Sequence, residues 1–271
     1  LAYLLSYPCH GVVLCEDNLL YSRDWPGFAL DEIERLGANA SPGGGHRPIA
    51  LFLQGAAGNV DPRRRGSFAV AAEDGAALGR AAFDALERAP VARCGKIDAR
   101  KISLTLRLRD LAGPMEVARN YVAQTELSLA NHRSGEGLQL KRLRDHCAQA
   151  KEALATVASL DDANRRDRRV NRERGEIATR LCALTLGDIA IVGIGGEPFV
   201  ELGLALKANP CFAHTFIAGY CNDLVGYLPT REAYRDGGYE VETSRVAEGS
   251  GELVVATLLS VLGEMRAAPP P

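Results

Sequence analysis

The feature that most constrains the fold is a continuous series of structural signals between residues 177 and 207. The sequence there is IATRLCALTLGDIAIVGIGGEPFVELGLALK, with apolar runs on both sides of a Gly-Asp pair and a glycine-rich stretch after the second run. A Gly-Asp pair between apolar runs is typical of a hairpin turn, and proline is favoured in the first turn of a helix. The stretch predicts a strand, a turn, a second strand, a glycine-rich bend and a helix beginning near Pro198. Glu197 then lies at the junction of strand and helix.

Segments on either side of this stretch also have strand or helix patterns. The run RPIALFLQG predicts a buried strand whose carboxyl end leads into the loop GAAGNVDPR. Residues 69–88 are rich in alanine and predict a helix, whereas KIDARKISLTLRL alternates with the period of a half-exposed strand. FAHTFIAGY predicts a further apolar strand, and Ser250 opens a final amphipathic helix. This order of elements predicts a mixed α/β layered domain.

The first forty residues carry their own signals. Apolar runs flank PCHG within residues 1–15, which predicts a strand, a tight turn and a second strand, with His10 at a strand edge. Asp24 is placed to cap a helix that Gly37 would end. Because the chain opens on Leu1 in the middle of a strand-like pattern, we expect an upstream part of the domain to be missing from it.

Composition excludes several classes of protein. The 271 residues are 46% hydrophobic with a formal net charge of -2, which is typical of a soluble globular protein and gives no overall attraction to nucleic acid. No apolar run approaches the roughly 20 residues that a membrane-spanning helix needs. The seven cysteines show no C-x-x-C spacing, which argues against a disulfide framework and against a thiolate zinc site.

One charged segment stands out, DDANRRDRRVNRERGE at residues 161–176. Arginine runs of this kind occur in nucleic-acid-binding proteins, but no aromatic residue is interleaved here. We therefore interpret the segment as a solvated helix face or connector.

Three side chains suited to acid–base or metal chemistry each follow an apolar stretch: His10, Glu197 and Tyr227. Imidazole, carboxylate and phenolate are nitrogen and oxygen ligands that suit zinc, which can keep a position open for water. Ligands so far apart in sequence have no diagnostic spacing. From the residues alone, buried or hydrogen-bonded structural roles therefore stay open as the alternative.

Several motifs, taken in order, resemble the neutral/alkaline non-lysosomal ceramidases, which are zinc-dependent amide hydrolases. They are YPCHG followed by NLLYSRDWPG, then LQGAAGNVDP, GIGGEPFVELG and GYLPTREAYRDGGYE. The resemblance implies a mixed-sheet α/β domain of the neutral ceramidase catalytic type over residues 1–266, and the terminal AAPPP predicts a disordered tail at 267–271. The resemblance also implies an N-acylsphingosine or related lipid amide substrate, peripheral membrane contact and a secreted or periplasmic location.

The same resemblance implies roles for individual residues. His10, Glu197 and Tyr227 match zinc ligands, and Tyr239, twelve positions after Tyr227, matches a tyrosine that hydrogen-bonds at the site. The tyrosine-rich segment thus supplies one metal ligand and one orienting phenol, while Tyr220 and the nearby Tyr234 are interpreted as packing residues.

Two departures from the family pattern qualify this expectation. Asp61 occupies the position of a family serine, where it either holds the attacking water or acts as a base, or else is a turn residue before Pro62. The family also has an upstream His-x-His segment that this chain does not contain, so we expect weak zinc binding and negligible turnover from this chain alone. The alternative function is a non-catalytic binding or scaffold protein that keeps the fold and has lost the metal.

Overall fold

The computed structural model describes residues 1–15, 17–40, 48–89, 91, 95–131, 138–208 and 210–267. The strands within these ranges are β1 Ala2–Ser6, β2 Ile49–Leu53, β3 Ile97–Arg107, β4 Val170–Asn171, β5 Glu176–Leu186, β6 Ile189–Ile194, β7 Glu197–Pro198, β8 His214–Ala218 and β9 Tyr227–Leu228. The helices are α1 Asp24–Ala40, α2 Phe68–Glu87, α3 Ala112–Ala130, α4 Leu138–Arg166, α5 Val200–Lys207, α6 Arg231–Asp236, α7 Tyr239–Glu242 and α8 Ser250–Ala267. The predicted mixed α/β class is confirmed.

The largest sheet contains the predicted hairpin. Its strand order is β3-β5-β6-β8, with β4 also paired to β5. Strands β5 and β6 are antiparallel and joined at the Leu186–Ile189 pair, and Gly187 has the positive φ of 58° that this turn requires. Strands β6 and β8 run parallel, so their carboxyl ends reach the same edge of the sheet. The loops that follow β6 and β8 therefore start side by side.

One face of this sheet is covered by α8, which contacts β3, β5 and β6 and packs beside α5. The core between them contains fully buried aliphatic side chains from both layers, including Leu181, Ile194, Leu206, Leu258 and Leu262. Each such side chain contributes about 1.5–3 kcal/mol when it is fully buried. This core fixes the ends of β6 and β8 from which the loops depart.

A smaller unit joins the sheet at β8. Strands β1 and β2 pair in parallel, β8 contacts both, and helices α1 and α2 pack together. Asp24 begins α1, as predicted, and its buried carboxylate accepts hydrogen bonds from the backbone amides of Val13 and Leu14 at 3.2 and 2.8 Å. This carboxylate ties the loop after β1 to the start of α1.

Three local expectations are wrong. The second strand expected before residue 15 is a loop in which Leu14 makes an isolated bridge to Gly66, so His10 lies in a loop instead of at a strand edge. Gly37 does not end α1, which continues to Ala40; it instead packs against the ring of Tyr3, where a larger residue would overlap that ring. The β2 run is only partly buried, with Leu51 55% exposed, because β2 belongs to a two-stranded sheet.

The helical segment expected over residues 115–159 is divided into α3 and α4, which pack against each other. Helix α4 continues into the arginine-rich segment as far as Arg166, and β4 follows it. Helix α8 reaches Ala267, and residues 268–271 of the expected tail lie outside the described residues. None of the described helices combines the length and the apolar character needed to cross a bilayer.

Candidate active site

The loops after β6 and β8 are joined by backbone hydrogen bonds that place Glu197 beside Tyr227. The Glu197 amide donates to the Gly226 carbonyl at 3.0 Å, and the Tyr220 amide donates to the Gly196 carbonyl at 3.0 Å. Strands β7 and β9 then pair in parallel, with Glu197 and Tyr227 as direct neighbours. A carboxylate and a phenol that are thirty positions apart in sequence are thus held together by the backbone.

His10 reaches the same place from the loop after β1. Its amide donates to the Val60 carbonyl at 2.9 Å, and its carbonyl accepts from Nε1 of Trp25 at 2.8 Å. The imidazole Nε2 lies 3.4 Å from the carbonyl oxygen of Gly58. Because the backbone of His10 is held on both sides, its ring is oriented by the fold.

Gly58 brings the loop after β2 against the strand-to-helix junction. Its amide donates to the Pro198 carbonyl at 2.9 Å. A methyl group on Gly58 would lie 3.1 Å from Cδ1 of Phe199 and would overlap the carbonyl oxygen of Glu197. Glycine is therefore required here by close backbone approach, and the contact fixes the distance between the His10 loop and Glu197.

The hydroxyl of Tyr220 lies between the other polar groups. It donates to Oε2 of Glu197 at 2.7 Å, and the Tyr220 hydroxyl oxygen lies 3.3 Å from Nδ1 of His10. Tyr220 has a φ of 56°, a left-handed conformation that is unfavourable for a bulky side chain. Strained residues of this kind concentrate at functional sites. Because the hydroxyl proton is donated to the carboxylate, the hydroxyl oxygen is left to accept a hydrogen bond from Nδ1 of the imidazole when that nitrogen carries a proton.

Two further phenols extend the site toward solvent. The ring of Tyr227 makes edge contacts with the rings of His10 and Tyr239, with centroids 6.3 and 6.2 Å apart. Burial and the negative charge of Glu197 raise the pKa of Tyr227 to about 12, and burial and the hydrogen bond to Glu197 also raise the pKa of Tyr220. Tyr239 is 67% exposed and lies at the start of α7.

Two polar residues on the loop after β2, Asp61 and Asn59, have separate partners. The carboxylate of Asp61 pairs with Arg65 at 2.6 Å in an exposed salt bridge. Asn59 accepts from the Val200 amide at 2.8 Å and donates to the Glu201 carboxylate at 3.0 Å. Asn59 therefore caps α5, whose N-cap residue Phe199 offers no side-chain acceptor. An aspartate in its place would repel Glu201.

The structure thus brings His10, Glu197 and Tyr227 together, with Tyr239 against Tyr227, and leaves Asp61 paired with Arg65. The sequence interpretation missed Tyr220, which it treated as a packing residue. The position of Tyr220 two residues after β8, which runs parallel to β6, is the signal that would have indicated it. The expected packing role fits Tyr234 better, since its largely buried hydroxyl donates to the Val246 carbonyl at 2.6 Å.

Whether a metal ion fits the site depends on which side chains there could coordinate it. Within the described ranges, no group of three or more His, Cys, Asp or Glu side chains is close enough to hold a metal ion. A metal at this site would therefore need phenolic oxygens besides His10 and Glu197. The imidazole of His10 and the carboxylate of Glu197 are ligand types that zinc accepts, and Tyr227 would supply a third donor as a phenol oxygen.

Comparison with known proteins decides the fold. No protein-family model matches the sequence, and no curated protein matches it. A solved structure of neutral ceramidase from Pseudomonas aeruginosa matches 99% of this chain with a TM-score of 0.61 at 16% identity. A structure described as a ceramidase complexed with C2 matches 100% of the chain with a TM-score of 0.62 at 16% identity. The chain has the neutral ceramidase fold.

This chain spans less than half the length of those ceramidases, covering 44% and 47% of the two solved chains. The ceramidase fold confirms the architecture that the sequence motifs implied, including the mixed sheet and the helix after Glu197. At 16% identity the likeness concerns the fold alone.

Proposed function

We propose that this chain forms part of a zinc-dependent amide hydrolase whose substrate is a lipid amide of the N-acylsphingosine class. The observation that supports the proposal is the convergence of His10 and Glu197 on the Tyr220 hydroxyl, with Tyr227 against the His10 ring, on a fold shared with ceramidases.

Each residue has a distinct task in this proposal. His10, Glu197 and Tyr227 would hold the zinc ion. Zinc bound there would lower the pKa of a water molecule toward neutrality and polarise the amide carbonyl. Tyr220, which hydrogen-bonds both Glu197 and His10, keeps the carboxylate and the imidazole oriented. Its hydroxyl also gives a proton a route between these two groups.

The remaining residues act on the substrate. Tyr239 is exposed beside Tyr227 and would donate a hydrogen bond to the carbonyl oxygen as negative charge develops on it. Asp61 lies on the loop that carries Gly58, and in this proposal its carboxylate holds the attacking water. That task requires Asp61 to exchange its contact with Arg65 for one with water.

A non-catalytic binding or scaffold function is the second candidate, and one observation favours it. The Tyr220 hydroxyl fills the space between His10 and Glu197 by bonding both groups directly. This arrangement satisfies both side chains without a metal. A scaffold of this kind keeps the ceramidase fold and the loop contacts.

The decisive experiment measures zinc and hydrolysis in the complete protein. We expect about one zinc per chain by elemental analysis, with hydrolysis of a short-chain N-acylsphingosine lost on chelation and restored by added zinc. His10→Ala is expected to abolish both. His214→Ala, which removes an exposed imidazole on β8, is the matched control and is expected to preserve both. A folded, metal-free protein that is indifferent to His10→Ala would establish the scaffold function instead.

A further inference from the structure

A second concave region, distinct from the candidate active site, has a volume of about 580 Å³. It lies between the end of β3, the start of α3, the end of α4 and the turn before β5, and we refer to it as the arginine cleft. Its lining includes six arginines: Arg107, Arg109, Arg119, Arg165, Arg172 and Arg174. Only two carboxylates, Asp110 and Asp161, share that lining, although the whole chain has a formal net charge of -2.

The arginines differ in how far their charge is neutralised. Arg165 pairs with Asp161 at 2.6 Å, and Arg172 lies 3.9 Å from the same carboxylate. The side chains of Arg107, Arg119 and Arg174 make no hydrogen bond or ion pair with any residue that the structure describes. Within the described part of the chain these three guanidinium groups form no ion pair, and Arg107 has Glu176 as its cross-strand neighbour.

Convergence of these groups argues against a merely solvated surface. The antiparallel pairing of β3 with β5 brings the end of β3, which carries Arg107, beside the start of β5 and the turn that carries Arg174, and both arginines line the cleft. A concave wall of one sign concentrates the potential and attracts anions. The arginine-rich segment from the sequence therefore contributes to a built cationic surface.

The shape of the lining indicates the class of anion. Planar guanidinium groups match the oxygens of phosphate in paired hydrogen bonds. One side of the cleft is apolar, formed by the half-buried side chains of Leu108, Leu111 and Met115, and accommodates an apolar substituent. No aromatic side chain is among the lining residues, so there is no platform on which a nucleobase would stack.

The helix end in the cleft has a separate partner. Asp110 accepts from the Ala112 amide at 2.9 Å and so caps the first turn of α3. The anion would therefore be bound by arginine side chains and not by the helix terminus. We propose that the arginine cleft binds a phosphate group carried by a small molecule, with Arg107, Arg119 and Arg174 as its main contacts.

Calorimetry with pyrophosphate tests the proposal directly. The double variant Arg119→Gln/Arg174→Gln removes two unpaired charges from the cleft. Arg144→Gln/Arg168→Gln makes the same change in net charge at exposed positions outside the lining. We expect pyrophosphate to bind the unmodified chain, to bind the cleft variant at least about tenfold more weakly, and to bind the control variant within about twofold.

Sedimentation with vesicles distinguishes a free phosphate from a lipid headgroup. The phosphate belongs to a lipid if pyrophosphate does not bind, whereas phosphatidylglycerol vesicles bind the unmodified chain and the control variant but not the cleft variant. Phosphatidylcholine vesicles are the neutral control. The proposal is overturned if neither pyrophosphate nor anionic vesicles bind, or if both double variants weaken binding equally, since the effect would then be one of total charge.

Discussion

The candidate active site and the arginine cleft lie toward the same end of the main sheet, where β6 ends and β5 begins, yet they are built in opposite ways. At the active site, backbone segments approach so closely that Gly58 has no room for a methyl group. In the cleft, the N-terminal turn of α3 is open, and Gly113 has nothing within 4 Å of where a methyl would stand. The first region depends on close contact and the second on charge.

Side-chain hydrogen bonds and ion pairs connect the two regions. Arg109 lines the cleft and donates to the carbonyls of Val241 and Glu242 at 2.7 and 3.1 Å, at the end of the helix that begins with Tyr239. Asp167 accepts from Arg245 at 2.9 Å and from Arg169 at 2.7 Å, and Arg169 also pairs with Asp223 in the loop after β8. The effects of substitutions in the two regions can therefore be compared within one connected structure.

The largest effect is expected from placing the same methyl group in each region. Gly58→Ala forces the loop away from Glu197 and Phe199, and we expect it to lower the free energy of unfolding by about 3 kcal/mol. Gly113→Ala meets no atom and removes backbone freedom within α3, so we expect no loss and a gain of up to about 1 kcal/mol. Urea unfolding of the two variants measures the difference. Equal effects would contradict the contrast between the regions.

The hairpin and the helix start at Asp24 follow from local rules, and for that reason the sequence predicts them. The site depends on contacts that no local rule contains. The left-handed Tyr220 is held by the Gly196 carbonyl, and the packing of Gly58 on Glu197 joins positions far apart in the chain. Motif resemblance located His10 and Glu197 without explaining how they meet.

The arginine cleft, likewise, can be predicted only in part from the sequence. Its charge is visible in the sequence as an arginine run, but Arg107 and Arg119 come from outside that run and join it only through the pairing of β3 with β5 and the packing of α3 on α4. Gly37, which was expected to end α1, shows the same dependence on tertiary contacts, since its small size allows it to pack against Tyr3. The sequence pattern shows which residue types a segment contains, whereas the pairing of strands and the packing of helices decide which residues become neighbours.

A second effect concerns the network that connects the two regions. Hydrogen bonds from Arg169, helped by Arg245, hold the pKa of Asp167 well below its ordinary value of about 3.9. Its stabilisation is therefore complete above that ordinary pKa and is lost as the pH falls below it. We expect Asp167→Asn to cost about 2 kcal/mol at pH 7 and to flatten the fall in stability between about pH 5 and pH 3. Denaturation at several pH values measures this, and an unchanged slope would show that other carboxylates carry the acid sensitivity.

A smaller effect is expected at the cap of α5. Asn59→Ala removes the acceptor for the Val200 amide and the donor to Glu201, and we expect a loss of about 1 kcal/mol in the free energy of unfolding. Asn59→Asp keeps the acceptor but adds repulsion from Glu201. Its cost should therefore shrink as salt is added, because exposed charges are screened. A salt-independent cost would mean that the contact with Glu201 contributes little.

The smallest change in the free energy of unfolding is expected at Asp61, where a substitution should affect hydrolysis far more than stability. Its salt bridge with Arg65 is exposed, with side chains 58% and 47% accessible, so Asp61→Asn should alter the free energy of unfolding by less than about 0.5 kcal/mol. Asp31→Asn breaks a comparably exposed pair with Arg23 and serves as the control. If Asp61 holds the attacking water, hydrolysis by the complete protein falls at least about a hundredfold in Asp61→Asn and is unchanged in Asp31→Asn. Equal activity in both variants would make Asp61 a turn residue and leave water activation to the groups around Glu197.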